Sequence, residues 1–147
     1  MRLRAGEGLL GETFAHFRAC GRGRDECVVF WTGPLGDREV ADEVVHPKHS
    51  ASRSEYVVDP AWAVAFALDG ARRRRSVRLQ VHVHPGAAFH SITDDEHSIV
   101  SKPGALSLVV PNGANGPVSL EGCYLAELQR DGSWRSVPPA KLIELKP

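Results

Sequence analysis

The segment Ser76-Val77-Arg78-Leu79-Gln80-Val81-His82-Val83-His84-Pro85 constrains this chain more than any other. Apolar and polar side chains alternate along it, and period-two alternation is the pattern of a strand with one buried face. Such a strand needs a second layer to cover its apolar side. His82 and His84, two residues apart, then project from one face together. Pro85 has no N–H to offer a ladder and ends the strand directly after them. A short loop brings Ser91-Ile92-Thr93-Asp94 back to the neighbourhood.

The remaining segments supply the other layers. Residues 9–19 carry Leu10, Phe14 and Phe17 at helical spacing, and Gly21 and Gly23 stop that helix. Residues 26–32 are rich in valine and aromatics, are bounded by Gly33-Pro34 and read as a strand. Residues 40–45 form a shorter strand, and residues 46–54 read as a polar loop containing Pro47, His49 and three serines. Asp59 caps a helix that opens on Pro60 and runs through Trp62, Ala65, Phe66 and Asp69. Gly70 weakens its end, and Arg72, Arg73, Arg74 and Arg75 form a solvated C-terminal turn where cations suit the helix dipole. The same arginines offer a docking patch to an acidic partner.

Further on, residues 94–99 read as a short helix, residues 105–111 as an apolar strand and residues 112–117 as a loop. Residues 123–129 and 133–137 flank Arg130-Asp131-Gly132, an Asp-Gly hairpin signal. Trp31, Trp62 and Trp134 fall on two strands and a helix and read as packing residues. With neither a repeat nor a low-complexity linker, residues 1–147 are expected to make one domain. Its class is mixed α/β of the α+β type, with helices packed on the faces of a curved, mostly antiparallel sheet.

A chain of 147 residues with 42% hydrophobic and 24% charged side chains has the make-up of a soluble globular protein with a sizeable core. Its formal net charge is zero, so no global field favours nucleic acid or an anionic membrane. After Met1-Arg2-Leu3-Arg4, Glu7 and Glu12 interrupt the apolar run that a signal peptide needs. No stretch approaches the roughly 18 apolar residues of a membrane span. Cys20, Cys27 and Cys123 are odd in number and lack CxxC spacing, which predicts free thiols and a reducing, cytoplasmic location. Cys27 reads as a small buried apolar residue of its strand.

His82, His84 and a carboxylate make three ligands, the number with which a catalytic zinc site leaves a fourth position for water. H-x-H alone is a weak pattern. Pro85, the turn-permitting Gly86 and Ser91-x-x-Asp94 within one loop strengthen it. On spacing alone Asp95 and Glu96 compete with Asp94, and His90 or His97 as added ligands would close the site and make it structural. A hard carboxylate beside two imidazoles suits a borderline ion such as zinc.

Taken together, these elements resemble the JAMM (MPN-plus) metalloprotease family, most closely its small bacterial JAB-domain members. The family signature is a glutamate on an early strand, then H-x-H-P, a short loop and S-x-x-D. Here those elements are Glu26, His82-Val83-His84-Pro85 and Ser91-Ile92-Thr93-Asp94. The early strand Glu26-Cys27-Val28-Val29-Phe30-Trp31-Thr32-Gly33 is similar as well. Five residues separate Pro85 from Ser91, where eukaryotic members usually have six.

The resemblance implies a cytidine-deaminase-like architecture and a Zn2+ ion held by His82, His84 and Asp94. It makes Glu26 the base that takes a proton from water and later returns it to the departing amine. Ser91 becomes a hydroxyl donor to the oxyanion rather than a nucleophile; its competing role is a helix cap near Asp94. The implied reaction is isopeptidase or peptidase cleavage at the C-terminal tail of a ubiquitin-like, β-grasp protein, which releases conjugates or trims a precursor. E1- and E2-like proteins are the implied further partners, in some bacteria within antiphage defence, while other relatives process sulfur-carrier precursors. Long ubiquitin-gripping insertions are lacking, so selectivity is expected from residues 46–56 and 99–105.

Two other readings compete. A cupin metal motif also contains H-x-H but needs a glutamate four or five residues later, where this chain has Ala88 and Phe89. A non-catalytic scaffold that binds ubiquitin-like proteins is the other; inactive relatives generally lose a ligand or the glutamate, and this chain retains all of them.

Overall fold

The computed structural model describes residues 2–89 and 101–147. Strand β2 (Cys27–Pro34) carries no charge and is buried along nearly its whole length. A strand that is apolar on both faces must be covered on both, and two helices do this. Strand β1 (Leu3–Gly6) leads into α1 (Glu7–Cys20). Leu10, Phe14 and Phe17 of α1 join Cys27, Val29 and Trp31 in one buried cluster. Trp31 donates its indole N–H to Thr13 Oγ1 at 2.8 Å, and Thr13 in turn donates to the Leu9 carbonyl at 2.7 Å. On the other face Val28, Phe30 and Tyr56 form a second cluster with Trp62 and Phe66 of α2 (Pro60–Arg73). The rings of Phe30, Trp62 and Phe66 all meet one another, with centroids 4.8–6.3 Å apart. Asp59 caps α2 as expected, its carboxylate accepting the Trp62 N–H at 2.9 Å.

The main sheet has six strands. On one side of β2 lies β4 (Glu43–Val45); on the other lie β7 (Arg75–Val83), β8 (Leu106–Val110), β9 (Tyr124–Leu128) and β10 (Trp134–Val137). Every pairing is antiparallel except β7 with β8. The β9–β10 hairpin turns where Asp-Gly predicted it. A parallel three-stranded sheet joins β1 to β3 (Val40–Ala41) and β11 (Ile143–Lys146), the last preceded by the single turn α3 (Pro139–Leu142). This is the mixed α/β class expected from the sequence.

The structure departs from local expectation at several points. Residues 40–45 are two strands, because Asp42 donates its N–H to the Thr32 carbonyl and Val40–Ala41 turns away to pair with β1. Residues 46–54 are not wholly a loop: β5 (His49–Ala51) pairs with β6 (Tyr56–Val58). The arginine run is the exposed helix end expected of it only as far as Arg74: Arg72 and Arg73 lie in the last turn of α2 and Arg74 caps it, but Arg75 belongs to β7. Arg74 turns left-handed at φ 55°, which launches Arg75 into β7. Arg73 then pairs with Glu43 at 2.9 Å and with Asp69, while Arg75 pairs with Asp42. The Arg73 guanidinium holds the Glu43 carboxyl below its ordinary value. The expectation of free thiols fails for two of three cysteines. The turn after α1 brings Cys20 back to Cys27, their Cα atoms 6.1 Å apart, and they are joined as a disulfide. No helix among the described residues is long and apolar enough to cross a membrane.

β7 also carries a bulge. Trp31 faces Leu79 but Thr32 faces Val77, leaving Arg78 extra. The bulge moves Val77 to the α2 side, while Leu79, Val81 and Val83 stay in the α1 cluster. His82 and His84 lie beyond it, so their shared face is preserved.

Candidate metal centre

Antiparallel register brings the site together. Cys27 pairs with Val83 and Val28 with His82. Continuing by one pair sets Glu26, just before β2, across from His84, just after β7. The Glu26 carboxylate lies 3.9 Å from His84 Nε2, and the two imidazole Nε2 atoms are 3.2 Å apart. One donor atom from each of the three residues falls within 4.8 Å of the others. All three are buried, with 3% (Glu26), 0% (His82) and 5% (His84) exposure.

Neighbouring groups fix these donors. His84 Nδ1 lies 3.3 Å from the Ala87 carbonyl. A carbonyl only accepts, so Nδ1 carries the proton of this bond and Nε2 is left with its lone pair, the arrangement usual for a metal-ligating histidine. The Tyr56 ring sits 5.2 Å from that of His82, and Phe89 meets His84 edge-on at 4.8 Å. Glu26 donates its backbone N–H to Ser52 O at 2.8 Å, tying the β5–β6 hairpin to the base of the site. Backbone bonds from His84 N to Val110 O (2.9 Å) and from Gly113 N to His84 O (2.8 Å) clamp the end of β7 against β8. Gly113 is required there: its φ is +62°, and an added Cβ would lie 2.5 Å from Gly23 Cα.

The donor set fits a divalent cation. Nitrogen ligands at ~2.0–2.1 Å from a tetrahedral ion sit ~3.3 Å apart, close to the imidazole separation here. The site opens into a cleft of about 440 Å3 lined by Glu26, His84, Arg53, Ser54 and Phe89, together with Pro85, Gly86 and Ala87. Arg53 and Ser54 belong to the 46–56 segment from which selectivity is expected. No motif marks Arg53, Ser54 or Tyr56 as site residues, because it is the hairpin that carries them to the histidines. Ser91 and Asp94, with their competitors His90, Asp95, Glu96 and His97, lie outside the described residues.

A scan against protein-family models finds no match. A curated relative, the probable metalloprotease y4jG of Sinorhizobium fredii, is 32% identical over 137 residues, covering 89% of this chain and 84% of its own. Among solved structures, protein DSY2949 from Desulfitobacterium hafniense aligns with a TM-score of 0.69 at 17% identity, over 98% of this chain and 92% of that one. AF2198, a JAB1/MPN domain protein from Archaeoglobus fulgidus, aligns with a TM-score of 0.53 at 15% identity, over 97% of this chain and 98% of its own. The 32% identical metalloprotease relative, with the JAB1/MPN-like fold, makes this a hydrolase of the mixed α/β class whose His/Glu/His group could hold a metal ion. The chain belongs to the JAMM (JAB1/MPN) metalloprotease family.

Proposed function

We propose that this metalloprotease is a zinc-dependent isopeptidase or peptidase that cleaves at the C-terminal tail of a ubiquitin-like, β-grasp protein, deconjugating or processing it. The observation that carries the reading is the juxtaposition of Glu26 with His84 across two strands far apart in sequence, at the mouth of a cleft. His82 and His84, with Asp94 as third ligand, would hold the metal. Bound there, a zinc ion would activate water and polarise the scissile carbonyl. Glu26 would serve as the base that accepts a proton from the attacking water and as the acid that returns it to the departing amine. Ser91 donates its hydroxyl to the oxyanion. Pro85, Gly86 and Ala87 line the cleft with short side chains, which suits an extended substrate tail. Arg53 at the cleft offers a cation to the carbonyls or carboxylate of such a tail.

The test is cleavage of a ubiquitin-like protein fused through its terminal glycine to a reporter, with β-grasp proteins encoded near this gene as substrates. Cleavage that a chelator abolishes and zinc restores supports the proposal. Binding of the same proteins without turnover, in metal-loaded protein, would make the chain a scaffold instead. Cleavage only of sulfur-carrier precursors, with amide conjugates untouched, would move the assignment to precursor processing.

A further inference from the structure

Four side chains that the catalytic reading leaves unused meet on the opposite face of β2. Cys20 ends α1, Cys27 opens β2, His46 follows β4 and His49 opens β5. Cys27 Sγ lies 3.3 Å from His46 Nε2, and Cys20 Sγ lies 3.5 Å from His49 Nε2. One donor atom from each of the four falls within 4.8 Å of all the others. With bonds of ~2.3 Å to sulfur and ~2.0–2.1 Å to nitrogen, a sulfur and a nitrogen on one tetrahedral zinc sit ~3.5 Å apart. Both sulfur–nitrogen distances come within about 0.2 Å of that spacing.

The imidazoles are also oriented for this task. His49 Nδ1 lies 3.0 Å from the Pro47 carbonyl, which can only accept, so Nε2 keeps its lone pair toward the sulfurs. His16 of α1 stacks on His46 with centroids 4.9 Å apart and holds its plane. Cys27 is buried and Cys20 half-buried, while His46 is exposed, so an ion has a way in from solvent.

We infer that Cys20, Cys27, His46 and His49 form a second, Cys2His2 metal centre for a zinc-like cation when the Cys20–Cys27 bond is reduced. With four protein ligands the centre is closed and structural, not catalytic. It ties the end of α1, the residue after β4 and the start of β5 to the start of β2, and so pins the chain neighbour of Cys27, Glu26, across from His84. Reduction by a phosphine takes the disulfide to two thiols and the phosphine to its oxide, with water supplying the oxygen and both protons. The thiols then release protons to solvent as their sulfurs bind the cation.

The experiment uses the full chain, reduced with a phosphine, stripped of metal and titrated with Co2+. Bound metal is counted by elemental analysis. Expected are two cobalt ions per chain and a near-ultraviolet thiolate-to-cobalt band. The His/carboxylate site has no thiolate and gives no such band. Cys20→Ser and His49→Gln should each abolish or strongly weaken the band and lower the count toward one. His82→Ala should lower the count but leave the band intact. Absence of the band in reduced wild-type chain, or its persistence in both Cys20→Ser and His49→Gln, overturns the inference. Since His49 is only half-buried and lies in a short edge hairpin, its variant keeps the test valid should Cys20→Ser fail to fold.

Discussion

Exchanging Glu26 for glutamine separates the two things a carboxylate beside two imidazoles can do. The imidazole Nε2 atoms are 3.2 Å apart, whereas Glu26 Oε2 is 3.9 Å from His84 Nε2. Ligands of one tetrahedral ion with bonds of ~2.0–2.2 Å sit ~3.3–3.5 Å apart, so Glu26 stands roughly half an ångström outside ligand spacing. It is placed beside the metal ligands, where a base belongs. Glutamine matches glutamate in volume and keeps a carbonyl acceptor but has no basicity, and the backbone bond to Ser52 O is untouched. Loss of a positioned general base costs ~10²–10⁴ in rate. At 1.36 kcal/mol per tenfold, this is about 3–5 kcal/mol on the barrier. The assay is single-turnover cleavage of a ubiquitin-like fusion, with metal content measured on the same sample. A rate fall in that range with metal per chain unchanged is the expected result. Full activity in the variant would refute the base assignment. Loss of metal alongside activity would equally refute it and make Glu26 a ligand.

Other outcomes follow from the same geometry. His82→Ala and Asp94→Ala should each abolish metal retention at the catalytic centre and cleavage together, as read by elemental analysis and the fusion assay. Ser91→Ala should slow turnover by ~10²–10³ and leave metal content unchanged; normal turnover would remove its oxyanion role. Thr13→Val leaves the buried Trp31 indole N–H without its acceptor, at about 1–3 kcal/mol. At ~2.1 cal/mol/K per residue over 147 residues, thermal melting should fall by about 3–10 °C. Burial pushes the Cys123 thiol up to about 11, so at pH 8 it stays protonated and should resist iodoacetamide in the folded chain. Rapid alkylation there by mass spectrometry would contradict that burial.

Much of the site was legible from local pattern. Period-two alternation fixed His82 and His84 on one face, since neighbouring side chains of a strand must point oppositely. The bulge at Arg78 did not disturb them because it lies before both. Asp59-Pro60 announced α2, and Asp-Gly announced the β9–β10 hairpin, because capping and turn geometry depend only on adjacent residues. Resemblance alone singled out Glu26; nothing within its own segment separates it from an ordinary surface carboxylate.

The sequence by itself determined which donors each element carries: an imidazole pair beyond an apolar strand, a carboxylate before another, and cysteines at the two ends of one turn. Only the tertiary structure decided which of these donors meet. Glu26 reaches His84 because β2 and β7 pair in one register and not its neighbour, a choice made by packing whole strand faces under α1 and α2. His49 reaches Cys20, and Arg53 reaches the cleft, because residues 46–58 fold back as a hairpin over the start of β2. Local periodicity follows from backbone geometry within a few residues. Register and hairpin docking follow from the burial of surfaces distant in the chain, and that information is spread across the whole core.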